Sequence, residues 1–426
     1  MTAMNENPHQ PVTARDRRVL RDLARRQVEI ANSEANRERR LAWLALDAGV
    51  GDRPMILCEW APAYARDFDA PWLQCEGEWA RGLERQFRRL IHEHEVIRDD
   101  HVVEPFLDIG WDVRYTDYGV KKTDHHADNA GKLGARSWDP PLKDLRTDLA
   151  KLKQRVFSVD RQATLRRRAD YDDIFGGVIA TRIRGRFWWT LGMTWPAIDL
   201  IGLENLMLFM YDDPEGLHGL MRFLRDDHLS FISWAEAEGL LTLNNGNDYT
   251  GSGSMGYTRR LPQADRETGS PVRLKDLWVL LESQETVGVS PELFAEFIYP
   301  YQRDIAARFG SLYYGCCEPV HTRWHVLKEL PNLQRISVSP WCDQRFMGEA
   351  LGRDVVFSRK PNPTLISTAT FDEGAIQADL RETLAAARGC RLEIIMKDVH
   401  ELAGEPRRAA RWVELARQSA AEAAGA

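Results

Sequence analysis

Six short apolar runs, "RPMILCEW", "LWVLLES", "LYYGC", "LQRISVS", "DVVFSRK" and "RLEIIMK", recur along the chain and end in polar or thiol side chains. Runs of this length predict buried strands, and their alternation with helical patterns predicts a parallel sheet joined by crossover helices. So many repeats predict closure into an α/β barrel of the (β/α)8 TIM type, which uses about 250 residues or more as one unit. The 426-residue chain has room for that unit over 51–426 behind an N-terminal helical extension over 1–50. In the extension Val19, Leu20, Leu23, Val28, Ile30, Leu41 and Leu44 fall at helical spacing.

Further helices are predicted at "GEWARGLERQFRRLIHEHEVI", "LENLMLFMYDDPEGLHGLMRFLRDDHLSFISWAEAEG" and "SPELFAEFIYPYQRDIAARFG". Between the first two, Asp108 to Pro141 is rich in Gly, Asp, Lys and His and weakly periodic. A long irregular connection early in such a fold predicts a lid over the barrel mouth, here carrying Tyr115, Tyr118, Lys121, His125 and His126. The arginine run from Leu165 to Asp170 is expected to be a solvated helix face.

Charge narrows the possible partners. The chain has 57 basic and 64 acidic residues, a net charge of −7, mixed along its length. A nucleic-acid surface needs a concentrated basic face, so none is expected. The first residues are polar, and no stretch approaches the ~18 uninterrupted apolar residues of a membrane span. A cytoplasmic protein without a membrane partner is the expectation. Six cysteines in that setting are expected to stay reduced, which leaves them packing, catalytic or metal-binding roles.

A barrel collects its chemistry at the strand C-termini, because only there do sequence-distant groups converge. The groups at those places include Cys58 and Glu59; Asn244, Asn245 and Asp248; Glu282, Gln284 and Glu285; Cys316, Cys317 and Glu318; Trp341, Cys342 and Asp343; Lys360; and Lys397, Asp398 and His400. Cys58, Cys75 and Cys390 are read as small buried hydrophobes. His321 and His325, and the histidines of "HEHEVIRDDH", are expected in structural or solvated positions. "NNGNDYTGSGSMGYT" has neither a Lys-Ser/Thr pair nor GxGxxG before a helix, so it reads as a glycine-rich turn with Asn244 and Asp248 free for a ligand. Gly315 is expected to end its strand and release Cys316 and Cys317 from strict alternation, one facing the barrel centre and the other packed behind it.

"ESQETVGVSPELFAEFIYPYQRDI", "LYYGCCEP", "RISVSPWCD" and "EIIMKDVHELAGEPRRAARWVELAR" together resemble the uroporphyrinogen decarboxylase superfamily, over about 53–420. The resemblance implies a (β/α)8 barrel and is strongest to the corrinoid-linked (methylcobamide) methyltransferase-like branch. True decarboxylases of the group carry an arginine-rich segment after the first strand, where this chain has "CEWAPAYARDF", so porphyrin decarboxylation is not expected. The methyltransferase branch holds zinc through a His-x-Cys element and a cysteine near the last strand. The zinc activates a substrate thiol that exchanges a methyl group with a corrinoid on a separate partner protein.

Cys316 or Cys317 stands in the place of the first family cysteine. Tyr314 or Gly315 replaces the histidine, and no cysteine follows "EIIMKD". The resemblance thus implies a zinc set of Cys316, Cys317, Cys342 and His400, with Glu285 as a further candidate. Substrate contacts fall to Asn244, Asn245, Asp248, Trp341, Asp343 and Lys360, and chemistry to Glu282, Gln284, Glu285, Lys397 and Asp398.

Three functions compete at this point. One is a zinc-dependent methyltransferase or demethylase component moving a methyl group between a small molecule and a corrinoid carrier. Another is a metal-free decarboxylase or lyase that uses Lys360, Lys397 and Asp398 on a small carboxylated substrate. A barrel that only binds its ligand is the third, disfavoured because a double cysteine is needlessly oxidation-prone in a passive binder.

Overall fold

In the computed structural model, which describes residues 12–60, 72–126 and 136–425, every one of the six apolar runs forms a strand. In chain order the strands are β1 Met55–Cys58, β2 Phe106–Gly110, β3 Asp112–Tyr115, β4 Thr123–His126, β5 Arg136–Asp139 and β6 Phe157–Asp160. They continue with β7 Ala180–Arg184, β8 Trp278–Leu281, β9 Ser311–Tyr314, β10 Leu333–Val338, β11 Val356–Arg359 and β12 Leu392–Met396. Six lie in one parallel sheet ordered β1-β12-β11-β10-β9-β8, and β2 pairs in parallel with β7 in a second sheet. The parallel α/β architecture agrees with expectation. No ladder among the described residues joins the two sheets into a ring.

The two faces of the large sheet differ in chemistry. Leu312, Tyr314, Ile336, Val338, Phe357, Ile394 and Met396 join the apolar core with the crossover helices. Side chains alternate along a strand, so Tyr313, Arg335, Ser337, Ser358 and Glu393 fall on the other face. The register sets Ser337 beside Ser358, Ser358 beside Glu393, and Arg335 beside Tyr313. Against this polar face lies the glycine-rich segment after Asn244. A Cβ at Gly251 would stand 2.1 Å from the Tyr313 ring, so only glycine fits there.

Arg335, fully buried, fastens that segment: its guanidinium donates to Ser254 Oγ (2.7 Å), Met255 O (2.6 Å) and Tyr257 O (3.1 Å) and lies 3.4 Å from Glu393 Oε2. The segment is therefore a structural insert, which corrects its reading as a ligand-binding turn. Asn244 exchanges hydrogen bonds with both backbone groups of Trp278 (2.9 and 3.0 Å), and Asn245 donates to Leu261 O (2.7 Å). Asp248 is buried between Arg184 and Arg186. The Asn244 amide, the Asn245 amide nitrogen and the Asp248 carboxylate are thus engaged by the fold.

The N-terminal helices Ala14–Ala31 and Glu34–Ala48 are separated by Asn32 and Ser33, the latter capping the second helix. Trp43 is completely buried in a cluster with Met55, Leu57, Val356 and Ile395, and Arg260 pairs with Asp47 at 2.7 Å. The segment expected to be an irregular lid is largely ordered into strands: β3 pairs with β6, and β4 with β5, all antiparallel. The β4–β5 hairpin, whose 127–135 stretch lies outside the described residues, packs on helix Thr194–Ile201 through Trp138 Nε1 to Ile198 O (3.2 Å) and Lys122 to Asp199 (2.6 Å). Alternation of polar and apolar residues was too weak over these four-residue strands to show them in advance.

The arginine run is only partly solvated. Arg166 and Arg168 are exposed, whereas Arg167 is buried and donates to Gly110 O (3.2 Å) and Asp112 (3.3 Å). No described helix is long and apolar enough to cross a membrane.

Candidate active site

At the C-terminal ends of β1, β9, β11 and β12 stand Glu59, the Cys316–Cys317 pair, Lys360 and Lys397. Each strand is bounded by the backbone in a way that places its terminal side chain. Glu59 N donates to Met396 O (2.8 Å), continuing the β1–β12 ladder one residue past the strand. Gly315 adopts φ +93°, which ends β9, and Pro319 opens the 3-10 turn Val320–Arg323. The break at Gly315 is the one the sequence predicted.

Lys397 is the cation with donors to spare. Among the described residues its Nζ has one hydrogen-bond partner, Asp398 Oδ1 at 2.9 Å. Burial works against its charge, but Tyr249, Asp398 and Cys316 outweigh burial and hold the ammonium well above its ordinary range. Lys360, 4% exposed, spends its donors on Tyr313 Oη (3.0 Å), Ser358 O (3.1 Å) and Ser358 Oγ. Burial and the neighbouring Lys397 charge pull it down to about 8. Lys360 therefore supplies positive potential from behind, and Lys397 presents an N–H group to a ligand.

Two acid–base groups complete this cluster. Burial pushes the Glu59 carboxyl above its usual range, while Lys397 and His101 pull it back. His101 Nδ1 lies 2.7 Å from Asp99 Oδ2. Burial disfavours the imidazolium, but the Asp99 charge and hydrogen bond raise it to about 9. Asp99 is anchored in turn by Cys58 N (2.9 Å) and His101 N (3.0 Å). Reading "HEHEVIRDDH" as a solvated helix hid this pair: the helix ends before it, and the chain turns at Arg98 with φ +57°. The only available signal was an Asp two residues before a His.

The two thiols lie 3.6 Å apart. Cys316 is buried, with Ser252 Oγ 3.6 Å from its sulfur, and Cys317 is exposed. The hydrogen bond between them holds Cys316 in the thiol form and lowers Cys317, which therefore ionises first. Iodoacetamide at neutral pH should label Cys317 ahead of Cys58, Cys75, Cys316 and Cys342, as read by peptide mass spectrometry. Equal labelling of Cys316 and Cys317 would contradict this order.

A carboxylate group on β8 and β9 has a different role. Glu318, 2% exposed, accepts from Ser283 N and Cys316 N (both 2.8 Å), tying the two strand ends together. Glu282 is equally buried and accepts from Gln284 N (3.1 Å). Its burial, with Glu285 and Glu318 nearby, pushes its carboxyl well above the usual range. Glu285 takes the Thr194 hydroxyl at 2.6 Å. Gln284 sits in the 3-10 turn Gln284–Thr286 with Glu285.

The implied zinc set does not assemble. Cys342 is turned into the core, its sulfur near Ser339 Oγ (3.6 Å) and Glu318 O (3.9 Å), because the Ser339–Cys342 turn leads straight into helix Gln344–Leu351. His400 is exposed. Among the described residues no group of three or more His, Cys, Asp and Glu side chains is arranged to hold a metal ion. Asp343 caps that helix by accepting from Phe346 N (3.0 Å), and Trp341 is 66% exposed. Of the strand-end residues singled out from sequence, the structure thus brings together Glu59, Lys360, Lys397, Asp398, Cys316 and Cys317, and adds Asp99, His101 and Tyr249.

No family model matches the chain, and no curated protein matches it. Among solved structures it is similar to a methyltransferase from Methanosarcina mazei, at 12% identity and a TM-score of 0.48, covering 89% of this chain and 98% of that one. At that score the likeness does not bear on the reaction.

Proposed function

We propose that the chain is a metal-free lyase, in the simplest case a decarboxylase, acting on a small carboxylated substrate at the β1, β9, β11 and β12 ends. The observation that carries this reading is Lys397, charged and with a single hydrogen-bond partner among the described residues, beside a Glu59 carboxyl raised by burial. A substrate carboxylate pairs with the Lys397 ammonium, with Lys360 and His101 adding positive potential. The bond from carbon to the departing carboxyl group breaks, carbon dioxide leaves, and the electron pair stays on a substrate carrying its own carbonyl or ring as sink. Glu59 donates its proton to that carbon and is reprotonated from solvent.

The test is release of labelled carbon dioxide from a panel of carboxyl-labelled small keto and aromatic acids. Glu59→Gln should lower kcat by about 100-fold or more, the usual worth of a positioned proton donor. Raising the pH through about 8 and about 9 discharges first Lys360 and then His101, so KM should climb on the alkaline side. A KM that stays flat across both of those ionisations, or a Glu59→Gln variant with full turnover, would reject the assignment.

The thiol pair favours a second reading, methyl transfer between a small molecule and a corrinoid carrier, with the Cys317 thiolate as the nucleophile of this chain. No step in it is routed through zinc, since no three of the expected ligands gather among the described residues. Methylcobalamin demethylation followed by its visible spectrum separates the two readings: a rate abolished in Cys317→Ser supports methyl transfer, and no spectral change removes it.

A further inference from the structure

At the opposite end of the sheet from Lys397, where Pro54 leads into β1 and Arg391 into β12, a cavity of about 480 Å³ is lined by Arg353, Arg381, Arg388 and Arg391. None of these four forms an ion pair among the described residues. Arg391 is 8% exposed; it donates to the backbone oxygens of Asp47 (2.7 Å) and Asp354, and its Nε is buried without a partner. Arg353 donates to Gly49 O, and Arg381 and Arg388 are exposed. Asp52 and Glu422 also line the cavity, but neither neutralises an arginine by an ion pair. Clustered, unpaired guanidinium groups repel one another, and a bound anion relieves that cost.

The rest of the wall mixes polar residues, among them Arg53 and Ser419, with an apolar patch. Arg381, Leu384 and Ala385 share one face of helix Glu373–Ala386, and Leu392 closes the other side. We infer that this cavity binds a phosphorylated small molecule of nucleotide size, its phosphates on the arginines and its body against Leu384 and Leu392. Planar guanidinium forks suit phosphate oxygens, and the volume suits a ligand of this class. The site is separate from the candidate active site: the five residues of β12 span roughly 16 Å at about 3.3 Å each.

Calorimetric titration of the full chain with ADP, and separately with inorganic pyrophosphate, tests the assignment. It is run in Lys397→Met, so that anion binding at the other end of β12 does not contribute. ADP should bind and raise the thermal midpoint, with pyrophosphate weaker by about 10-fold for want of a body to pack. Adding Arg381→Glu and Arg388→Glu, both exposed positions, should weaken ADP by about 10-fold or more. ADP binding unchanged by that double substitution, or no binding at millimolar ADP, overturns the inference. Pyrophosphate binding as tightly as ADP overturns the apolar half of the site. None of these outcomes depends on the proposed lyase chemistry.

Discussion

Lys397→Met is expected to lower kcat/KM by about 100- to 1000-fold, the range seen when one preorganised charge-stabilising donor is removed from a reaction site. The fold should tolerate the change, because among the described residues the Lys397 ammonium has only Asp398 as a hydrogen-bond partner and Asp398 is itself exposed. Two effects act together. The substrate carboxylate loses its ion-pairing donor, and Glu59 loses the positive charge that most strongly restrains its pKa. Its proton is then held more tightly and passed on less readily. Lys397→Arg keeps the charge but changes its shape, so it should recover binding better than turnover. Malonate, a carboxylate probe that need not react, gives a readout separate from catalysis: its affinity should fall in Lys397→Met and persist in Glu59→Gln. Unchanged malonate binding and turnover in a folded Lys397→Met protein would end the lyase reading.

The largest expected loss of stability comes from Arg335→Met. Removing one partner from a buried, hydrogen-bonded ion pair costs roughly 3–5 kcal/mol, mainly because the charge left behind is uncompensated. Here Glu393 is left, fully buried, together with the carbonyls of Met255 and Tyr257 that Arg335 satisfies. The Arg335 guanidinium also lies over the Trp278 ring, 5.1 Å from its centroid. Denaturant unfolding should show a lower midpoint. Adding Glu393→Gln should restore part of the loss, since a neutral amide needs no counter-charge. If Arg335→Met unfolds at the wild-type midpoint, the polar face of the sheet does not depend on this pair.

The sequence by itself determined the six strands of the large sheet. Each of the six apolar runs carries enough local hydrophobicity and β-propensity to form one, and Gly315 marks the end of β9 because few other residues accept φ +93°. The parallel arrangement followed from their alternation with helices. It also located most of the strand-end polar groups, because the residue after a buried strand is at a sheet edge whatever the rest of the fold does.

Tertiary structure decided which of those groups are free to act. Asn244, Asn245 and Asp248 look like ligand contacts until the insert is seen against the sheet, where the amide groups pair with Trp278 and Leu261 and the carboxylate with Arg184. Cys342 and Asp343 lie beside the site in sequence, but the helix they begin turns the thiol inward and uses the carboxylate as a cap. Asp99 and His101 follow no apolar run, and their local pair reaches the site because the chain after Ile97 folds back along β1, where Asp100 N donates to Ile56 O and Cys58 N to Asp99, both at 2.9 Å. One physical reason covers Asn244, Asn245, Asp248 and Asp99. A strand is specified by neighbours in sequence, whereas the availability of a polar atom depends on whether a distant segment has already satisfied it.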